Sequence, residues 1–236
     1  MNKIKSGIPG LDEILKGGIL ETSSILVSGG PGTGKSIFAL QFALGGMNNK
    51  EPSLYITSEE TKESLKEYAL SLDIDLESYK NLFFIIEQGI TGEKIFSLTE
   101  PIDLIKKKKI KRVVLDSLTF FRYVYAKNEL EFRSGVLDFI LKMRDLNVTL
   151  MVTSEKSSLD LDSMNFDAQD FLFRGLIILT KVRRGSSFER VMLVSKMRGQ
   201  DHLLDAFPFL IKEGGITIFT KQLPFSLMSK DDEKKY

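Results

Sequence analysis

Residues Gly29-Gly30-Pro31-Gly32-Thr33-Gly34-Lys35-Ser36 crowd glycines, a lysine and a hydroxyl between a short apolar run and a segment of helical period. Few folds are open to a chain punctuated in this way. The run Ile25-Leu26-Val27-Ser28 reads as a buried strand, and Lys35 to about Met47, with Phe38, Leu40, Phe42, Ala43 and Leu44, reads as a helix. The octapeptide therefore satisfies G-x-x-x-x-G-K-[ST] at a strand-to-helix junction. There the glycines let main-chain N–H groups turn inward around an anion, and the positive end of the helix adds to the attraction. Lys35 is expected to reach the β- and γ-phosphates of a nucleoside triphosphate, and Ser36 to bind Mg²⁺. A glycine-rich turn ahead of Lys-Ser is the bland alternative. Average residue frequencies would produce the four fixed positions by chance in on the order of 1% of chains this long, before a flanking strand and helix are required.

The same alternation continues downstream. Leu54-Tyr55-Ile56-Thr57-Ser58 precedes a helix with Leu65, Tyr68, Ala69 and Leu72 on one face, and Leu82–Ile86 and Val113–Asp116 read as two more buried strands. Glu129 to Leu146 carries Phe132, Val136, Phe139, Ile140 and Met143 at helical period and leads to the strand Thr149–Thr153. Short β-rich runs alternating with helices predict an α/β fold with a mainly parallel central sheet covered on both faces. The last third differs. Leu176–Val182 and Val191–Met197 flank Arg183-Arg184-Gly185-Ser186, and Phe209 to Phe219 flank Gly214-Gly215, so antiparallel hairpins are expected to finish the sheet. With 236 residues, the expectation is one domain over 1–222 and a short charged tail over 223–236.

Composition narrows the chemistry by exclusion. Lys plus Arg (33) nearly cancels Asp plus Glu (32), so no global charge recruits nucleic acid or an anionic membrane. Cysteine is missing, which excludes disulfides, thiolate zinc sites and cysteine nucleophiles. No apolar run approaches the length of a bilayer span, and the opening Met1–Gly7 lacks an apolar leader core. A cytoplasmic protein with no membrane partner is expected.

Further polar groups belong at the carboxyl ends of the strands, where open α/β sheets bind ligands. Arg112-Val113-Val114-Leu115-Asp116 is an apolar strand ending in a carboxylate, placed to bind Mg²⁺ beside Ser36, although a turn or helix cap would also use an Asp there. Glu59 and Glu60 lie just beyond the second strand. Adjacent residues cannot both aim at one point, so one would activate the attacking water and the other support it. Both acids would equally suit the N-terminus of a helix starting near Thr61, a dipole effect of roughly 0.3–1 kcal/mol. The two readings stand side by side.

Together, Ser6-Gly7-Ile8-Pro9-Gly10-Leu11-Asp12, Gly17-Gly18-Ile19, the phosphate loop, Thr57-Ser58-Glu59-Glu60-Thr61, Leu115-Asp116-Ser117 and Lys196-Met197-Arg198-Gly199-Gln200-Asp201-His202 resemble KaiC-type ATPase domains in order and spacing. The resemblance runs from residue 5 to about 219 and implies a RecA-like fold that binds and hydrolyses ATP with Mg²⁺. It implies Glu59 as base with Glu60 as helper, and a homo-oligomeric ring, usually a hexamer, with ATP held between subunits. Lys196, Arg198 and His202 would act in trans on the neighbour's nucleotide. Lys196 and Arg198, two apart on a predicted strand, would point from one face toward a polyphosphate gaining charge. The clock protein of that family has two such domains and a phosphorylated segment, so clock function does not transfer, and a regulatory switch is the expectation.

The rival is a RadA- or RecA-type paralogue that binds single-stranded DNA, which needs basic and aromatic residues on channel loops. The loop from Phe120 to Asn128 offers Phe121, Arg122, Tyr123, Tyr125 and Lys127, whereas Ser157 to Asp170 carries Asp160, Asp162, Asp167 and Asp170 without Lys or Arg. Thr153-Ser154-Glu155-Lys156 is similar to the Thr-Glu-Arg of KaiC domains rather than to the Gln of recombinases. The basic run Lys106–Arg112 precedes the Asp116 strand, so it is expected at the sheet's opposite edge as a solvated helix end.

Overall fold

The computed structural model describes residues 2–88, 99–119, 122, 128–156 and 166–225. Nine strands form one sheet: β3 (Ser24–Gly29), β4 (Ser53–Thr57), β5 (Phe83–Glu87), β6 (Arg112–Asp116), β7 (Thr149–Glu155), β8 (Gly175–Arg184), β9 (Ser187–Met197), β10 (Phe207–Lys212) and β11 (Gly215–Ile218). Their order is β11-β10-β9-β8-β3-β7-β6-β4-β5, parallel from β8 to β5 and antiparallel from β8 to β11. The mainly parallel sheet with two terminal hairpins is thus the architecture expected from the strand spacing.

Residue alternation along each strand sorts side chains to two layers. Ile25, Val27, Tyr55, Val114 and Met151 pack on one face against α2 (Lys35–Leu44) and α3 (Lys62–Ser71). Leu26, Leu54, Ile56, Val113 and Leu150 pack on the other against α4 (Thr99–Lys108) and α5 (Glu129–Asp145). Asn128 starts α5 by accepting the N–H groups of Leu130 and Glu131, and Phe132, Val136, Phe139, Ile140 and Met143 form its buried stripe.

A small element had no counterpart in the sequence pattern. β1 (Lys3–Ile4) pairs antiparallel with β2 (Ile19–Leu20) around α1 (Leu11–Ile14), and Lys3 Nζ ties the pair to the carbonyls of Leu15 and Lys16 at 2.9 and 2.8 Å.

Parallel register brings four strand ends together at one edge: Gly29 opposes Glu155, and Thr57 opposes Asp116. The basic run lies at the other edge, with Lys106, Lys107 and Lys108 in the last turn of α4, where cations complement the helix dipole. Arg112 departs from the solvated reading. It is 1% exposed, donates to Glu51 Oε2 at 2.9 and 3.1 Å and to the Lys5 and Phe42 carbonyls at 2.7 and 3.2 Å, and so clamps the start of β6. Among the described residues no helix is long and apolar enough to cross a membrane.

Candidate functional site

The phosphate loop leaves β3 at Gly29 and enters α2 at Lys35. Gly29 lies so close to β8 that a Cβ there would meet the Leu179 carbonyl at 2.4 Å. Gly34 is the N-cap of α2 with φ of 107°, a left-handed conformation that favours glycine, and no side chain caps the helix. The first N–H groups of α2 therefore keep their anion-binding capacity. Lys35 is buried and folds back over the loop, donating to Gly30 O at 3.0 Å, while Thr33 Oγ1 donates to the same carbonyl at 2.8 Å. Lys181 of β8 adds a second ammonium at the rim, 3.4 Å from Pro31 O.

Asp116 ends β6 with its carboxylate buried. Tyr55 donates its hydroxyl to Oδ2 at 2.5 Å, and the Thr153 hydroxyl donates to Oδ1. Burial first, and the Asp116 charge next, raise the Tyr55 hydroxyl well above its ordinary range, so it remains a donor. Hydroxyl donors from both neighbouring strands thus hold the two carboxylate oxygens. Neither Tyr55 nor Thr153 stood out in the sequence, because both residue types are ordinary in strands.

The paired glutamates diverge. Glu59 Oε1 accepts the hydroxyl of Ser117, the residue after Asp116. Glu60 turns toward α3, where its Oε2 accepts from Ser64 at 3.2 Å and its N–H donates to Thr57 Oγ1 at 3.1 Å. Thr61 N-caps α3 through Ser64 N–H. Glu59 therefore contacts the residue that follows Asp116, whereas Glu60 contacts the first turn of α3. Partial burial raises the Glu59 carboxyl, helped by the charges of Asp116 and Glu155, while the Ser117 hydrogen bond and Lys35 pull it down. A carboxylate held above its usual range is a stronger proton acceptor.

No cluster of three His, Cys, Asp or Glu side chains suited to a metal occurs among the described residues. The Ser36 hydroxyl at the start of α2 is half-buried and the Asp116 carboxylate at the end of β6 is buried. Such a sparse, hard oxygen set fits Mg²⁺, which keeps several waters and takes further oxygens from phosphates.

Lys196, Arg198 and His202 lie elsewhere. Lys196 opposes Leu176 on β8, which opposes Leu26, three residues back from Gly29 toward the amino edge. Its ammonium donates to Asp170 O at 2.6 Å, and burial, then Arg198, lower its pKa. Arg198 falls in the turn after β9 rather than on a strand, and its N–H meets Arg174 O at 2.8 Å. His202 Nδ1 sits 2.9 Å from Leu203 O. These residues do not converge on Lys35 of their own chain. Of the candidate DNA loops, Arg122 donates to Gln169 at 2.8 Å and stacks on Phe132, while Phe121, Tyr123, Tyr125, Lys127, Asp160 and Asp162 lie outside the described residues.

Comparison with known proteins bears on this arrangement. The profile of the family described as "ATPase: KaiC" matches residues 4–223. The circadian clock oscillator protein KaiC of Prochlorococcus marinus subsp. pastoris is 32% identical over 235 residues, spanning 93% of this chain and 45% of its own. That of Thermosynechococcus vestitus is 31% identical over 231 residues, spanning 93% and 44%. The chain thus covers less than half the length of these relatives. A crystal structure of a KaiC-like protein from the hyperthermophilic archaeon Pyrococcus horikoshii OT3 superposes with a TM-score of 0.79 at 28% identity, covering 92% of this chain and 99% of that one.

Proposed function

Because the chain belongs to the KaiC family of ATPases, we propose that it binds and hydrolyses ATP in a homo-oligomeric, usually hexameric ring, at sites shared between subunits. Residues 1–222 are the ATPase domain, residues 223–236 an appended tail, and the cytoplasm its compartment. The observation that carries this reading is the division of charge between two regions of the sheet. Lys35, Asp116 and Glu59 gather at the carboxyl edge, while Lys196 and Arg198 lie toward the other end of the strands. A chain with half a site in each region completes both when copies meet.

Main-chain N–H groups of the loop between Gly29 and Ser36, Pro31 having none, grip the phosphates, with Lys35 on the β- and γ-oxygens. Ser36 and Asp116 would hold Mg²⁺, which neutralises charge on those oxygens. Glu59 takes a proton from the attacking water as its oxygen bonds to the γ-phosphorus and the bond to the bridging oxygen of ADP breaks. Glu60 supports Glu59 through the α3 start, and Lys196, Arg198 and His202 of the neighbouring subunit meet the charge gathering on the transferred group. A slow cycle of this kind would serve as a regulatory switch, since ring contacts then depend on the nucleotide.

Phosphate release with and without single-stranded DNA, and light scattering with and without ATP and Mg²⁺, test the reading. A nucleotide-dependent ring indifferent to DNA supports it. Stimulation by DNA, lost on changing Arg122 and Lys127, would establish the recombinase-paralogue alternative instead.

A further inference from the structure

A second charged network lies outside the hydrolytic carboxylates. Asp170, in the 3-10 turn Ala168–Phe171, is 2% exposed, a depth at which a carboxylate needs compensating partners. Its Oδ2 accepts from Lys156 Nζ at 2.8 Å and from the Asp167 N–H at 2.9 Å. Oδ1 meets no donor among the described residues. Its main-chain carbonyl accepts the Lys196 ammonium at 2.6 Å, which also lies 5.5 Å from the centre of the Phe171 ring.

Lys156 connects this turn to the phosphate loop. It follows Glu155 at the end of β7, and its N–H donates to Gly29 O at 3.2 Å, where the loop begins. Its ammonium also lies 3.6 Å from Asp167 and 5.7 Å from the Phe166 ring centre. A continuous set of contacts thus runs from Gly29 through Lys156 and Asp170 to Lys196. Well-packed apolar residues could fill such a place at equal or better stability, so a buried ion pair is weak evidence for a purely stabilising role.

We propose that Asp170 is a positioning residue for the shared site. Anchored by Lys156 beside its own phosphate loop, it presents its carbonyl to Lys196 and sets where that ammonium meets the neighbouring subunit's nucleotide. This rests on the reading that Lys196 acts in trans. Partial burial and the nearby Arg198 charge disfavour a protonated Lys196, so its ammonium needs a fixed acceptor until phosphate oxygens replace it.

The test mixes two full-length chains. One carries Lys35→Ala and contributes the trans residues; the other carries Arg198→Ala and contributes the intact loop. Only an interface between the two has a complete site. Asp170→Asn on the Lys35→Ala chain should lower phosphate release on the order of tenfold through misplacement of Lys196. On the Arg198→Ala chain, whose trans face is already disabled, it should leave the rate unchanged. Lys156→Met should show the same asymmetry. A folding defect would depress both placements, so equal losses, or no loss in either, overturn the proposal while the shared site stands. An inactive unmodified pair overturns the shared site and this proposal with it.

Discussion

The phenolic hydroxyl of Tyr55 donates to Asp116 Oδ2 across 2.5 Å, from the strand next to the one that Asp116 ends. With Thr153 on the other side, it fixes the direction of a buried carboxylate that would otherwise have to find its own rotamer. Removing either donor leaves Asp116 partly unsatisfied. Tyr55→Phe and Thr153→Val should each cost about 1–3 kcal/mol in denaturant unfolding. Each should also raise the Mg²⁺ concentration needed for half-maximal phosphate release, and the pair should be non-additive because they share one partner.

Glu59 and Glu60 are adjacent in sequence but differ in their partners, which predicts unequal effects. Glu59→Gln should reduce turnover by roughly 10²–10⁴-fold with ATP still bound. Glu60→Gln, whose carboxylate meets Ser64, should have a clearly smaller effect. Single-turnover phosphate release separates the two, and equal losses would contradict the assignment.

The raised Glu59 carboxyl also has a signed pH consequence. Folding favours its protonated form, so its contribution to stability is fully present below the unfolded pKa and is lost as pH rises through the higher folded one. Glu59→Gln should therefore raise Tm at neutral pH and leave it unchanged in acid. In the wild type, the acid limb of the turnover profile should sit above the ordinary carboxylate range.

Much of this architecture could be read from the chain, and the exceptions have physical causes. β3 and α2 declare themselves as apolar runs on either side of the glycine-rich loop, and α5 by a buried stripe that recurs at helical period. β1 and β2 are two residues each, too short for any period, and they depend on Lys3 reaching distant carbonyls. Tyr55 and Thr153 look like common strand residues until register places them on either side of Asp116. Arg112 looked like one more member of a basic run, yet a cation starting a central strand is drawn inward once Glu51 stands opposite. Asp170 looked like one of several acids in a loop unsuited to DNA; only the folded chain brings Lys156 and Lys196 to it.

The Arg112 clamp gives a stability prediction away from the nucleotide. Glu51→Ala leaves a guanidinium that is 1% exposed without its counter-charge, although the Lys5 and Phe42 carbonyls remain. The expected loss is roughly 2–3 kcal/mol, or a fall in Tm of roughly 5–10 °C by calorimetry. Nucleotide affinity at temperatures where the variant is folded should not change.

The central claim is that the loop from Gly29 to Ser36 grips a nucleoside triphosphate through main-chain amides and the Lys35 ammonium. Calorimetric titration of ATP with Mg²⁺ into the wild type and into Lys35→Ala tests it directly. Saturable binding by the wild type and its loss in the variant is the predicted result; absence of binding by the folded wild type, or equal binding by both, would contradict it.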